Sequence, residues 1–330
     1  MNKKLIALAV AAASISSVAN AAEVYSDETS SLAVGGRLEA RAVFSDGDVS
    51  DASRVRMNIA GKTDITDTIY GIGFYEGEYT SSGSSADSGN VNNRHINAGI
   101  GGDFGKVVFG KTDGSLGMLT DFTDIMSFHG NNAGNKIAAA DRTSNNLAYV
   151  GSFDIAGDNL TVKANYAFEG VSDDNVEYGD GYSVGAMYVM DMGLGFGAGY
   201  GEQDRNTFNS IAVDDTQKQA FGAISYTYGD FYVSGLYQDA RKTVVDGETI
   251  DNSRGYEVAA AYTYGKTVFV ATYNYLEDTD ASGDAADLRD AIAVDATHYF
   301  NKNFRTYASY QFDLRSDADD QFVLGARYDF

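Results

Sequence analysis

The sequence predicts an all-β fold: a transmembrane barrel of sixteen antiparallel strands, with short turns at one end and long polar loops at the other. Three observations predict it. Apolar residues recur at every second position through sixteen segments, the mark of strands with one apolar and one wet face. The connections between segments alternate short and long. Last, the chain finishes on an apolar strand. Phe322, Leu324, Ala326, Tyr328 and Phe330 share one face, and Gln321, Val323, Gly325, Arg327 and Asp329 the other. An open apolar edge gives a soluble sheet little, whereas a membrane barrel needs that strand to pair back to the first and abolish the edge.

Residues 1–21 come first and stand apart. Lys3 and Lys4 open them, Leu5 to Ile15 is an apolar run, and Val18-Ala19-Asn20-Ala21 offers an A-x-A cleavage site. This is a secretory signal peptide, too short to span a bilayer. Nothing after it approaches the ~18 consecutive apolar residues of a membrane helix, so residues 22–330 are read as one barrel domain.

The first strand is Leu32 to Phe44, with Arg37, Glu39 and Arg41 on its polar face. The second, Arg54 to Lys62, turns Val55, Met57 and Ile59 outward and Arg54, Arg56, Asn58 and Lys62 inward. The third, Ile69 to Tyr79, carries Glu76 and Glu78 on one face. The fourth, Asn93 to Ile100, breaks the alternation, and the fifth is Gly105 to Thr112. A stretch of about 30 residues without strand pattern, 113–143, interrupts the series; that length suggests a functional loop. Alternation resumes at Leu147-Tyr149-Gly151-Phe153 and continues through ten further segments to the final strand.

Tight connections such as Gly101 to Phe104, Ala156 to Asn159, Gly229-Asp230, Gly265-Lys266 and Asn301 to Asn303 supply the Gly, Asn and Asp that hairpins need. Long polar loops lie between them: Ser45 to Ser53, Thr80 to Val91, Glu169 to Gly181, Gln203 to Gln217 and Glu277 to Arg289. Outward residues are Leu, Val, Ala, Gly, Phe and Tyr; inward ones are Arg, Lys, Glu, Asp, Gln, Asn and Ser. Charges in a dry core would be prohibitive. Sixteen strands enclose a cylinder wide enough for water, so the polar inner face predicts an aqueous channel.

Composition agrees. Of 330 residues 44% are hydrophobic, yet mean hydropathy is -0.26, and there are 23 Tyr, 18 Phe and 37 Gly with no Cys, Trp or Pro. Tyr suits membrane–water interfaces. Without Cys there are no disulfides, zinc fingers or thiol catalysis. The net charge of -23 includes Lys3 and Lys4, so it falls to near -25 without the leader. Nucleic-acid binding is disfavoured by such acidity.

These residues resemble the trimeric general porins of Gram-negative outer membranes, and among them the vibrio-type members. The resemblance covers the whole mature chain. It is carried by Ala22-Glu23-Val24-Tyr25, Arg56 to Thr63, Tyr299-Phe300-Asn301-Lys302-Asn303 with Thr306-Tyr307, and Gly325 to Phe330. It implies a homotrimer of sixteen-stranded barrels in outer-membrane lipid and lipopolysaccharide, passing ions and small hydrophilic solutes without cofactor. It also implies that the third loop, 113–143, folds inward and narrows the lumen. By position, Arg37, Arg56, Arg94 and Arg142 match the family's basic cluster, and Asp124 matches the first loop acid. The second acid does not carry over: Phe128 stands near where the family often has Glu. Asp121, one turn earlier, substitutes if the segment is helical. Fixed charge of opposite sign on facing walls would align dipolar solutes. The acidic lumen and loops predict a weak cation preference, opposed by the arginines.

Other readings are weaker. Inward arginines such as Arg41, Arg54 and Arg327 can simply pair with acids. Asp46-Gly47-Asp48 and Asp278-Thr279-Asp280 lack a full calcium loop. His95, His129 and His298 show no metal spacing. No nucleophile elbow points to an enzyme, and Asp295 and His298, three apart on a strand, face opposite sides. The competing function is an adhesin or phage receptor built on the external loops.

Overall fold

The computed structural model describes residues 21–81, 91–173, 176–208, 211–245, 248–280, 282–316 and 318–330. The segment read as a signal peptide, save Ala21, and most of the Thr80 to Val91 loop lie outside the described residues. Sixteen long strands form the wall: β1 (Ser30–Ser45), β2 (Arg54–Asp64), β3 (Ile69–Thr80), β4 (Asn92–Gly102), β5 (Gly105–Asp113), β6 (Arg142–Ile155), β7 (Asp158–Ala167) and β8 (Val176–Val189). The second half is β9 (Leu194–Phe208), β10 (Ile211–Tyr228), β11 (Phe231–Val245), β12 (Glu248–Tyr264), β13 (Thr267–Thr279), β14 (Ala285–Tyr299), β15 (Phe304–Asp313) and β16 (Gln321–Asp329). Each pairs antiparallel with the next, and β16 pairs with β1 from Phe322↔Phe44 to Asp329↔Arg37. The ring is closed, so no edge is left for lipid to face.

Two backbone bonds of 3.0 Å between Phe330 and Gly36 extend this seam. The short strand Ala22–Ser26 then takes up the same edge of β1, from Ala22↔Val34 to Ser26↔Ser31. The N-terminal and C-terminal strands thus lie end to end against one partner.

The faces are inverted relative to a soluble protein. On β12, Val258 is 53% exposed while its neighbour Glu257 is 1% exposed. Outward aromatic residues gather at the two rims, Phe231 stacked on Tyr262 near the short turns and Tyr310 against Phe312 and Phe322 near the loops, as interfacial girdles do. At the turn between β6 and β7, Ala156 and Gly157 both have positive φ, 58° and 98°, the geometry a two-residue hairpin demands.

Two expectations change. The segments Gln203 to Gln217 and Glu277 to Arg289, read as loops, are largely strand. Gln203↔Gln217 pairing continues to Phe208↔Ile211, and Glu277↔Asp287 to Thr279↔Ala285. Beyond the hydrocarbon both faces of a strand are wet, so the ladder persists without an apolar period to reveal it. The inner face is also less uniformly polar than expected. Met187, Phe221, Tyr232, Leu236, Ala261 and Val270 are buried in one cluster inside the barrel, because a chain segment covers them.

Candidate functional site

That segment is the connection from β5 to β6, which folds into the lumen. It begins with a single turn, α1 (Gly117–Thr120), and ends with a 3₁₀ turn at Ala138–Ala140. Leu116, Met118, Leu119 and Phe122 are at most 1% exposed and pack on the inner wall.

The wall makes room with glycines. Gly195, Gly197, Gly199 and Gly201 alternate along the inner face of β9. A Cβ added at Gly197 would lie 2.5 Å from Leu119 Cδ2, and one at Gly199 2.6 Å from Leu116 Cδ2. On β8, a Cβ at Gly185 would meet Met118 Cε at 2.7 Å. Sequence reasoning missed this lane, although its period-two glycines at inward parity were a visible signal.

Polar groups then moor the connection around more than half the ring. Ser115 N–H donates to Ser183 Oγ at 2.9 Å, and Tyr232 OH to the Phe122 carbonyl at 2.8 Å. Ile137 N–H donates to Gln219 Oε1 at 3.0 Å. Glu257 accepts the Ala133 N–H at 2.8 Å and the Thr123 hydroxyl. Further on, Ser127 meets Thr297 at 2.7 Å, His129 meets Ser309 at 2.8 Å, and Asn132 donates to Gln311 at 3.2 Å. The buried His129 ring has its pKa lowered to about 4 by burial, so it is neutral at physiological pH.

The opposite wall, β1 to β4, carries the arginines. Arg41 and Arg54 both reach Glu39 at 2.8 Å, Arg56 Nε donates to Glu78 at 2.8 Å, and Arg94 Nε donates to Glu76 at 2.8 Å. Arg37 approaches Glu39 only at 3.8 Å, and its buried Nε has no hydrogen-bond partner among the described residues. Arg37 also lies within the field of Arg54, Arg56 and Arg327.

The irregular fourth segment has a physical cause. Glu76 pairs with His95 but Gly77 with Asn93, so Arg94 is the extra residue of a β-bulge. The bulge lets Arg94 and His95 both turn toward Glu76, at 2.8 and 3.6 Å. Arg142 sits apart from the other three. It opens β6 opposite Asp113, with 3.9 Å between guanidinium and carboxylate, and Asp113 also holds His95 at 3.1 Å.

The two acids are placed differently. Asp121 caps α1, half-buried, and lies within the field of Lys163 of β7 and, more weakly, of Lys136. Asp124 is exposed to lumen water and lies within the field of Lys136, Arg54 and Arg37. No ion pair joins it to either arginine among the described residues. Phe128, near which the second loop acid did not carry over, lies under the Arg41 guanidinium, 5.1 Å from ring centre, a cation–π contact. Asp295 and His298 point apart: Asp295 is buried beside Thr297, whereas His298 bonds Thr267. No grouping of three or more metal-binding side chains occurs among the described residues.

The profile of the family described as Gram-negative porin matches residues 7–319. The chain is 67% identical to "Porin-like protein L" of Photobacterium profundum and 42% identical to "Outer membrane protein U" of Vibrio parahaemolyticus, each match covering 100% of both chains. Among solved structures, Salmonella typhi OmpF in complex with daunomycin aligns with TM-score 0.79 at 22% identity, over 94% of this chain and 100% of that one. Vibrio cholerae OmpT in its trimer form aligns with TM-score 0.69 at 20% identity, over 92% and 100%.

Proposed function

This chain belongs to the Gram-negative porin family, and on that premise we propose how its lumen discriminates among solutes. It is an outer-membrane β-barrel channel for passive diffusion of ions and small hydrophilic solutes; its family and fold are those of channels rather than enzymes. The narrow point of the channel is the gap between the inward connection, residues 113–143, and the arginine wall. Arg37, Arg56 and Arg94 supply fixed positive charge there, and Arg142 adds to it from beside Asp113, where the connection leaves and rejoins the wall. Asp124, with Asp121 behind it, supplies the opposing negative charge. One observation carries this reading: Asp124 is exposed to lumen water within the field of Lys136, Arg54 and Arg37, yet forms no ion pair with any of them among the described residues. A pair locked together would present little field. A pair held apart across water presents a transverse one, which orients dipoles and disfavours solutes that cannot align.

A weak cation preference is the expected balance, because the chain's net charge is -23 while much of the arginine charge is compensated by Glu39, Glu76 and Glu78. A unit charge about 8 Å from a passing ion in water is worth roughly 0.5 kcal/mol. Asp124→Asn should therefore lower the cation-to-anion permeability ratio about twofold. Arg56→Ala and Arg142→Ala should raise it by a similar factor. Reversal potentials in a salt gradient measure both, and potentials that move in neither case would overturn the assignment.

The proposed assembly is a homotrimer in contact with outer-membrane lipid and lipopolysaccharide, supported by the trimer form of the similar OmpT. Residues 1–21 are proposed to be removed on export, so that the mature protein starts at Ala22; N-terminal sequencing of protein purified from outer membranes checks this.

A further inference from the structure

A second cavity lies beside the inward connection, away from the arginines, with a volume of about 350 Å³. Its floor is the return limb of the connection, Asn131 to Asp141, and its wall is the inner face of β10 to β12 with Tyr178 of β8. The wall residues stand on the loop side of the lumen, far from the short turns Gly229-Asp230 and Gly265-Lys266 that join the other ends of the same strands.

The chemistry of the lining is specific. Gln219, Gln238 and Ser253 form a chain across three strands: Gln219 Nε2 donates to Gln238 Oε1 at 3.0 Å, and Gln238 Nε2 reaches Ser253 Oγ at 3.4 Å. Gln219 also holds the connection through Ile137 N–H and the Asn135 carbonyl. These amides are spoken for. Two others are not. Gln217 is 2% exposed and makes no side-chain hydrogen bond among the described residues. Asn131 Oδ1 is buried without a partner. A buried polar atom is almost always hydrogen-bonded, as Asn131 Oδ1 is not, and both residues line the one cavity. The cavity's charges, Lys136 and Asp141, offset each other at 3.7 Å.

We propose that this cavity is a solute-binding subsite for a small uncharged polyhydroxylated compound, one or two sugar rings in size, entered from the loop side. The amide of Gln217 is both donor and acceptor, and Asn131 Oδ1 is an acceptor. Hydroxyl groups answer both roles with one functional group. A net-charged ligand gains nothing from a compensated Lys136–Asp141 pair. The volume is at the low end for ligand pockets, which excludes longer oligomers. The inference rests on the channel reading above and names a solute class that the channel retains transiently.

The test is single-channel recording from the purified protein in a planar bilayer, with maltose as probe and a size-matched polyethylene glycol as control. Maltose on the loop side should interrupt the current with saturable concentration dependence; the glycol should lower conductance only in proportion to its concentration. Gln217→Leu should weaken maltose about three- to tenfold, the value of one lost hydrogen bond, without changing open-channel conductance. Asn131→Gly, which suits the positive φ of 55° at that position, should weaken maltose by a similar factor. A conducting channel with no saturable interruption, or one whose maltose response survives both substitutions, overturns the subsite and leaves a water-filled recess. Absence of any current overturns the channel reading, and the subsite with it.

Discussion

Arg37 differs from its neighbours in what it lacks. Arg94 anchors the buried Glu76, and Arg41 and Arg54 share Glu39, whereas Arg37 has one distant carboxylate and an unpartnered Nε. Removing Arg37 therefore subtracts charge without stranding an acid. Arg37→Ala should shift reversal potential toward cations about twofold with little change in thermal stability. Arg94→Ala should shift it similarly but also cost about 1–3 kcal/mol, because Glu76 loses its closest partner; thermal unfolding of the two variants separates the effects. His129 adds a pH dependence. Its folded pKa, about 4, lies below the ordinary 6.5, so the unfolded or detached state binds more protons between these values and stability rises with pH there. The seat of the inward connection should loosen as pH falls from 6.5 toward 4, seen as growing current noise. His129→Gln should flatten that response; noise with an unchanged pH profile in the variant would remove His129 from the account.

At the scale of the element, the inward connection behaves as a small domain laid on a prepared floor. Its apolar turn from Leu116 to Phe122 fits the glycine lane of β8 and β9, and its polar groups reach strands from β7 to β15. Leu119→Ala empties a fully buried site and should weaken the seat by about 2–5 kcal/mol. Gly197→Val should weaken it by about 1–3 kcal/mol through overpacking. Both should raise open-channel noise, and Leu119→Ala, which lies outside the wall strands, should leave the barrel's thermal transition nearly unchanged. A parallel fall in barrel stability would mean that the connection and the wall fold as one unit.

For the molecule as a whole, closure is the decisive event, and it depends on a contact between residues almost 300 positions apart. Gly36 lies where β1 meets both β2 and the chain terminus; a Cβ there would sit 2.3 Å from the Arg56 carbonyl oxygen and 2.9 Å from the Phe330 ring. Gly36→Val should displace that seam. The expected outcome is loss of the compact, detergent-resistant form on unheated gels, whereas a like substitution at Gly73, where an added Cβ meets nothing within 4 Å, should leave it intact. Equal behaviour of the two variants would place closure elsewhere. Current that closes in three equal steps would establish the proposed trimer.

Much of this protein was legible in its residues. Strand number, the sense of each face, the tight turns and the return of β16 to β1 follow from a period of two, from turn chemistry and from the rule that lipid leaves no backbone group unpaired. Those are local properties, repeated sixteen times. Only the tertiary structure decided which inward groups meet. It put Asp124 within the field of Lys136, Arg54 and Arg37 and Asp121 within that of Lys163, made Arg94 the extra residue of a bulge, and set Arg142 beside Asp113. It also turned Gln203 to Gln217 into strand, where two wet faces leave no apolar period to read. The physical reason is common to all of these: each depends on register and distance between strands remote in sequence, which side-chain alternation along any one strand does not encode.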